Sequence, residues 1–221
     1  FASHADPVIA VNRALAAAIQ AHPEEVPIIF VGDCTSCLGA MKGLEAQHPA
    51  IVWFDSHGDF NTPETSPSGF LGGMPLAALV GIGSQNLMDG MALTPIPESD
   101  VIISDARNLD PGEADLVAGS AVNHLPSISD LLTAALPDKP LYIHFDGDVV
   151  DSAEMPALAY PEPHGPSMEE TAATLRRIAR DGQIAGVLFT LWDNRLPGSD
   201  ISKGHILRLV RDFVSANDAT P

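Results

Sequence analysis

The sequence predicts an α/β fold, a single-domain three-layer α/β/α arrangement built on a mostly parallel sheet. Three observations lead there. Short apolar runs such as Ile51-Val-Trp-Phe54 and Leu141-Tyr-Ile-His-Phe145 alternate with stretches of helical periodicity along the whole chain, the pattern of parallel strands joined by crossover helices. Polar clusters recur just after the apolar runs, at Asp33-Cys34, at Asp55, His57 and Asp59, at Asp110 and Glu113, and at Asp146 and Asp148. In open parallel sheets ligands bind beyond the carboxyl ends of the strands, so these clusters are expected to meet at one edge. No repeat and no break in composition divides the 221 residues, so residues 1–221 are expected to form one domain.

The elements follow in order. From Asp6 to Ala21 the residues Val8, Val11, Leu15 and Ile19 recur near helical spacing, and Asp6-Pro7 suits an N-cap and first helical position. Pro27 to Val31 reads as a short buried strand, followed by the turn Gly32-Asp33-Cys34 and a helix through about Gln47. The Ile51 strand leads into a loop rich in Pro, Ser, Thr and Gly from Asn61 to Gly73, a length at which ordered loops are usually functional. A short apolar helix from Pro75 to Val80 comes next, then irregular connection over 83–99 and a strand from Val101 to Ser104.

Arg107 to Glu113 is a turn that opens a helix, Val122 to Leu125 a weak strand, and Ser127 to Leu136 a further helix. Leu141 to Phe145 is a strong strand ending in Asp146-Gly147-Asp148. A Pro-rich loop then reaches the capping box Ser167-x-x-Glu170 and a helix to about Arg180. Gly186 to Leu191 is the last strand, and Ile206, Leu209, Val210, Phe213 and Val214 mark one face of a final helix.

The charge balance narrows the partners. With 29 acidic residues against 11 basic ones the net charge is −18, which disfavours nucleic acid and anionic membrane surfaces. No apolar run reaches the roughly 18 residues of a membrane span and no signal-peptide pattern opens the chain, so a cytoplasmic protein acting on a small molecule is expected. Two cysteines, Cys34 and Cys37, cannot build a disulfide framework.

The chemistry concentrates in the strand-end clusters. In extended chain, residues at i, i+2 and i+4 share a side, so Asp55, His57 and Asp59 crowd one spot. Buried and unpaired, such carboxylates cost several kcal/mol per ion, whereas a divalent cation turns that cost into binding. Asp146 and Asp148 repeat the pattern. With Cys34 they supply six candidate ligands, Cys34, Asp55, His57, Asp59, Asp146 and Asp148, enough for two divalent ions bridged by carboxylates about 3.5 Å apart.

Three motifs carry a resemblance: Gly32-Asp33-Cys34, Asp55-Ser-His57-Gly-Asp59-Phe-Asn61-Thr-Pro, and Phe145-Asp146-Gly-Asp148-Val-Val-Asp151. In this order, with the turn Arg107 to Glu113 between the second and third, they resemble the arginase and agmatinase family of ureohydrolases over Gly32 to about Asn194. The resemblance implies an arginase-like fold with a dinuclear manganese site that hydrolyses guanidines or amidines by attack of a metal-bridging hydroxide. It implies Cys34, Asp55, Asp59 and Asp146 as ligands of one ion, and Asp55, His57, Asp146 and Asp148 as ligands of the other. Asp59 would also be the catalytic residue that carries a proton to the leaving amine. Asn61, Ser68, Asp110 and Glu113 match positions that contact the amino-acid end of the substrate. Family members assemble as trimers or hexamers, so a homo-oligomer is expected, and typical members carry a strand before the Gly-Asp-His turn that is absent here or lies before Phe1.

The departures from the family pattern point to substrate and metal. Cys34 replaces a histidine; its softer, anionic thiolate favours Zn²⁺ or Fe²⁺ and lowers the charge of the ion pair, which suits a more reactive substrate such as an N-hydroxylated guanidine. Gly72 stands where arginases carry a proton-shuttling histidine, Phe70 where they carry asparagine, and Leu191 or Asp193 where a guanidinium-binding glutamate is expected. His164 is a candidate replacement for the missing histidine. Other readings compete. Asp110 and Glu113 fit a helix capping box as well as they fit substrate contact. His144 is either a support of a ligand or a core histidine. Cys34-x-x-Cys37 is open to a redox role. At the level of function, the alternatives are a metal-binding protein of the same fold without ureohydrolase activity and a single-zinc amide deacetylase.

Overall fold

A computed structural model describes the backbone of residues 2–190 and 192–217, with side chains from Asp6 onward. Its centre is a six-stranded sheet, β1 Ile28–Phe30, β2 Ala50–Asp55, β3 Val101–Asp105, β4 Asn123–Leu125, β5 Leu141–Asp146 and β6 Ile184–Thr190. The strand order is β1-β6-β5-β2-β3-β4 and every pairing is parallel. Every residue of β2 and β5 is buried, which is why these strands read as near-continuous apolar runs.

Successive strand residues face opposite layers. Ile51, Trp53, Val101, Ile103, Tyr142 and Leu188 join one apolar layer, and Val52, Phe54, Ile102, Ile143, Phe145 and Val187 the other. The first layer is covered by the helices α1 Ala2–Gln20, α2 Cys37–Gly43, α3 Pro75–Leu79 and α4 Asn86–Met91. The second is covered by α6 Met168–Asp181 and α7 Ser199–Asn217, while α5 Pro111–Gly119 packs Val117 against the first. This is the three-layer arrangement the alternation predicts.

Five elements depart from the sequence reading. Strand β1, expected to be buried, is an edge strand that exposes Ile28 and Phe30 and buries only Ile29. Helix α1 starts at Ala2, so Pro7 lies inside it rather than at its start; a proline near a helix start removes a single upstream hydrogen bond. The helix after Cys34 is cut short: a 3-10 turn at Cys34–Ser36 precedes α2, and the chain turns again at Glu45–Gln47 with His48 in the left-handed region. The span 83–99 contains α4, whose side chains give no cap signal and whose Gly90 weakens the helical pattern. Ser127 to Leu136 forms only a 3-10 turn, Ile128–Leu132. The Arg177 guanidinium donates to the carbonyls of Leu131 and Ala134, at 3.0 and 2.9 Å; a helix to Leu136 would have paired the first of these internally.

The topology places the site. From β2 the chain proceeds outward through β3 to β4, then returns to the other side of β2 as β5 and proceeds the opposite way to β6. The strand order therefore reverses between β2 and β5, and the crevice beyond their carboxyl ends is where a parallel sheet opens. Phe54 is in register with Phe145, so Asp55 and Asp146 end neighbouring strands side by side.

Candidate metal centre

The loop after β2 is held open by backbone bonds that its own side chains make. Asp55 accepts the His57 amide at 2.7 Å on Oδ1 and the Trp53 indole N–H at 3.1 Å on Oδ2. Asp148, in the turn that closes β5, accepts the Ser56 amide at 3.1 Å and the Ser56 hydroxyl at 2.8 Å on Oδ1. Its other oxygen lies 3.1 Å from His57 Nδ1, which is 3.4 Å from Asp55 Oδ1. Asp146 accepts the Asp148 amide at 2.9 Å on Oδ1 and the Cys34 thiol at 3.2 Å on Oδ2. A sulfur and a carboxylate 112 positions apart in sequence are thus in contact.

Asp59 is held differently. Its backbone lies in the left-handed region at φ 50°, uncommon for a residue with a β-carbon and frequent at functional sites. The start of α3 secures it, since the Leu76 and Ala77 amides donate to its carbonyl at 3.0 and 3.3 Å. Its carboxylate is buried and Oδ2 has no hydrogen-bond partner. The next residue, Phe60, donates its amide at 2.8 Å to Glu113, whose other oxygen takes the Asp110 amide at 3.1 Å. Glu113 is therefore both the capping residue of α5 and a brace for the Asp59 loop. A β-carbon at Gly58 would meet Glu113 Oε1 and Leu109 Cδ2 at 2.7 Å, so this approach requires glycine.

Among the described residues two groups of ligand atoms result, each with all members within 4.8 Å of one another: Cys34, Asp55, His144 and Asp146, and Asp55, His57 and Asp148. Asp55 belongs to both. Asp59 belongs to neither, though it lines the same cavity.

The electrostatics match a cation site. Cys34, Asp55, Asp59, Asp146 and Asp148 are all buried, and His57 is the cationic partner among them. Burial first, and then the charge of Asp148, pushes the Asp55 carboxyl up to about 7. Burial, Asp148 and Asp55 likewise raise Asp146, and burial and Asp55 raise Asp59. Burial and then Asp59 and Asp146 raise the Cys34 thiol. Against the effect of burial, hydrogen bonds to Asp148 and Asp55 hold the His57 imidazolium up to about 12. Burial also acts to raise Asp148, but the hydrogen bond and charge of His57 outweigh it and keep its carboxyl low. Crowded buried carboxylates that resist ionisation, one of them with an unpartnered oxygen, are what divalent cations would relieve. The oxygen, nitrogen and sulfur donors present fit such ions.

Above the donors lies a cavity of about 380 Å³. Cys34, Asp55, His57, Asp59 and Asp146 line it, as do Asn61, Ser68, Asp110 and Glu113; Asp148 is fully buried beneath. Asn61 donates to Asp110 Oδ2 at 3.0 Å and accepts the Thr65 hydroxyl at 2.9 Å, while the Ser68 hydroxyl takes the Phe70 amide at 3.1 Å. The capping reading and the cavity reading of Asp110 and Glu113 both hold: they form the capping box of α5 and line the cavity.

The replacement positions fall out separately. Asp193 is paired with Arg195 at 2.6 Å and does not line the cavity, and His164 is exposed on its loop. Leu191 lies outside the described residues. Sequence reasoning missed Tyr160 at the cavity mouth and Glu162, whose carboxylate accepts from Asn108 at 2.9 Å and sits 3.7 Å from His57 Nε2. The Pro-rich loop that carries them gives no local signal. It is docked by Arg107, which donates to the carbonyls of Glu162 and Pro163 at 3.2 and 3.1 Å.

Comparison with known proteins bears on this arrangement. The model of the Arginase family matches residues 2–189. An N(omega)-hydroxy-L-arginine amidinohydrolase from Streptomyces lavendulae is 30% identical over 155 residues, 68% of this chain and 54% of that protein. An arginase from Bacillus subtilis is 30% identical over 198 residues, 82% of this chain and 67% of that one. The crystal structure of arginase from Bacillus subtilis superposes with a TM-score of 0.87 at 26% identity, covering 94% of this chain and 79% of that one. The chain thus spans between half and about two thirds of these two curated relatives. By sequence along most of its length and by fold, it belongs to the arginase family.

Proposed function

We propose that the protein is a metal-dependent ureohydrolase that cleaves a C–N bond of a guanidine or amidine substrate. The observation that carries this reading is the meeting of Cys34, Asp55, Asp59, Asp146 and Asp148, all buried, with His57 at the floor of one cavity. Cys34, Asp55, Asp59 and Asp146 would hold one divalent ion, and Asp55, His57, Asp146 and Asp148 the other. Bound there, such ions supply water activation and charge stabilisation at neutral pH.

The chain's own residues supply the rest. Asp59, which lines the cavity and has a buried, unpartnered oxygen, holds the proton of the attacking water and delivers it to the leaving amine. Asn61, Ser68 and Asp110 orient the far end of the substrate. Glu113 contributes through the backbone it grips, since both its oxygens are occupied. Among the described residues the cavity lining carries no lysine or arginine, which suits a cationic amidine or guanidine head.

The finer parts of the proposal are these. An N-hydroxylated guanidine is favoured as substrate by Cys34 and by the similarity to the Streptomyces lavendulae protein, whose name gives that activity. The ions are Mn²⁺, or Zn²⁺ or Fe²⁺ where Cys34 prevails. Residues 1–221 act as one domain, in the cytoplasm, as a homo-oligomer of three or six chains.

The test is urea or hydroxyurea release from arginine, agmatine, guanidinobutyrate and N-hydroxyarginine by metal-loaded protein, beside metal analysis. Turnover of one of them, abolished in Asp55→Ala, is the expected result. Two bound ions with no turnover of any would favour the metal-binding alternative, and no bound ion would remove the proposal.

A further inference from the structure

His144 is a buried polar group beside the donors that the proposed ligand sets leave unexplained. It lies on β5 two residues before Asp146 and so faces the same layer, and no part of it is exposed. Its ring is stacked on Trp53 with centroids 3.5 Å apart and planes 2° from parallel. Trp53 in turn donates its indole N–H to Asp55. One side chain therefore fixes both the plane of the imidazole and the carboxylate shared by the two donor groups.

The two ring nitrogens differ. Nδ1 is 3.4 Å from the Tyr142 hydroxyl, and Nε2 is buried with no hydrogen-bond partner. A buried polar atom in a native core is normally paired, and leaving it unpaired costs stability. His144 also offers a nitrogen within 4.8 Å of ligand atoms of Cys34, Asp55 and Asp146. A buried histidine with one nitrogen beside a polar neighbour and the other unpartnered, grouped with two carboxylates and a thiol, has the makings of a metal-binding histidine.

We propose that His144 is a ligand of the ion on the Cys34 side, completing a set of one sulfur, one imidazole nitrogen and two carboxylates that selects zinc over manganese at that position. Sulfur, imidazole and carboxylate donors are those zinc takes, and zinc can expand to five partners when it also holds a water. Thiolate and imidazole both favour zinc over manganese, and the general order of divalent affinities runs the same way. The His57 side, with two carboxylates and one imidazole, keeps a donor set that manganese accepts. Asp59 is then released from ligation for proton transfer. This inference rests on the metal-centre reading above and departs from it in adding His144 and setting Asp59 aside.

Zinc-edge X-ray absorption on the fully zinc-loaded protein tests it, beside calorimetric competition of Zn²⁺ and Mn²⁺ for the metal-free chain. The expected spectrum contains one sulfur and two imidazoles per pair of ions. In His144→Phe, which keeps a ring to stack on Trp53, the second imidazole is lost and the tighter zinc weakens by more than 10-fold, the least that disturbing a ligand's support produces. The ion on the His57 side keeps its affinity. A single imidazole per pair in the unaltered protein, or unchanged zinc binding in His144→Phe, would overturn the assignment of His144 while leaving a dinuclear centre standing. Failure of the unaltered protein to bind any divalent ion would overturn both. If His144→Phe does not fold, the spectrum of the unaltered protein decides alone.

Discussion

The ring of Phe70 occupies the space that a side chain at Gly72 would need: a β-carbon built there falls 2.6 Å from Phe70 Cζ and 3.0 Å from Asp33 Oδ2. The two departures from the family pattern in this loop are therefore one, since an aromatic ring at 70 and a side chain at 72 exclude each other as placed. Phe70 and Tyr160, with centroids 5.7 Å apart, form the rim of the cavity.

Gly72→Ala is expected to change substrate binding more than stability. The atoms it strikes belong to the outer end of a partly exposed ring, which can swing aside, so the cost should stay near or below about 1 kcal/mol, the low end for overpacking. The displaced ring alters the cavity mouth, and KM is expected to move several-fold with kcat less affected. Thermal unfolding and steady-state kinetics on Gly72→Ala and on Gly72→Ala with Phe70→Ala check this; the second substitution should cancel most of the steric effect.

Glu113→Gln tests the brace. Both carboxylate oxygens accept backbone amides, from Phe60 and Asp110, and an amide side chain offers only one acceptor. One buried N–H is left unpaired at about 1–3 kcal/mol. Denaturant unfolding should show that loss, and because Phe60 follows Asp59 directly, kcat should fall with it. A stability loss with full activity would mean that the Asp59 loop holds its shape without Glu113.

How far the sequence reveals this arrangement depends on whether a signal is local. The strands β2 and β5 are legible because buried parallel strands are apolar throughout, and the clustering of the candidate donors Asp55, His57, Asp146 and Asp148 is legible because they close those strands at spacing two. His144 is ambiguous for a physical reason: a histidine within an apolar strand has the same local pattern whether it fills a core or faces an ion. Glu162 has no local signal, because its place beside His57 depends on Arg107 docking one loop against another. The shortened turn at Ile128–Leu132 likewise depends on Arg177, 46 positions from Leu131.

Metal-free protein should lose stability as pH rises. Asp55, raised to about 7 from 3.8, binds its proton more tightly folded than unfolded, so the stability it contributes is present below 3.8 and lost as pH rises through 7. His57, raised to about 12 from 6.5, contributes stability that is full below 6.5 and declines above it. The raised Asp59 and Asp146 carboxyls act in the same sense, and the lowered Asp148 acts only below 3.8. The melting temperature of metal-stripped protein should therefore fall from pH 5 to pH 8. Divalent ions, which favour the ionised carboxylates, should reverse or flatten that slope. A stripped protein that is more stable at pH 8 would contradict the crowding of buried acids at this site.

Arg107→Lys should disturb the site without touching it. The guanidinium pairs with Asp105 and donates to the carbonyls of Asp148 at 2.9 Å, Val149 at 3.0 Å, Pro163 at 3.1 Å and Glu162 at 3.2 Å. A planar fork with five donors can serve these directions together, whereas an ammonium with three donors on a flexible stem cannot. Asp105 is itself held at φ 77°, and Ala106 after it at φ 50° donates its amide to the Asp55 carbonyl at 2.9 Å, so the staple reaches the strand end that bears the shared carboxylate. Loss of two or more of these bonds leaves carbonyls unpaired and is expected to cost about 2–4 kcal/mol. Faster proteolysis should concentrate in the loop over 151–166, because Arg107 makes most of the hydrogen bonds that join that loop to the turn after β3, with Asn108 adding one to Glu162. If Arg107→Lys keeps both its melting temperature and its resistance to proteolysis, the loop is docked by its own packing and the guanidinium is incidental.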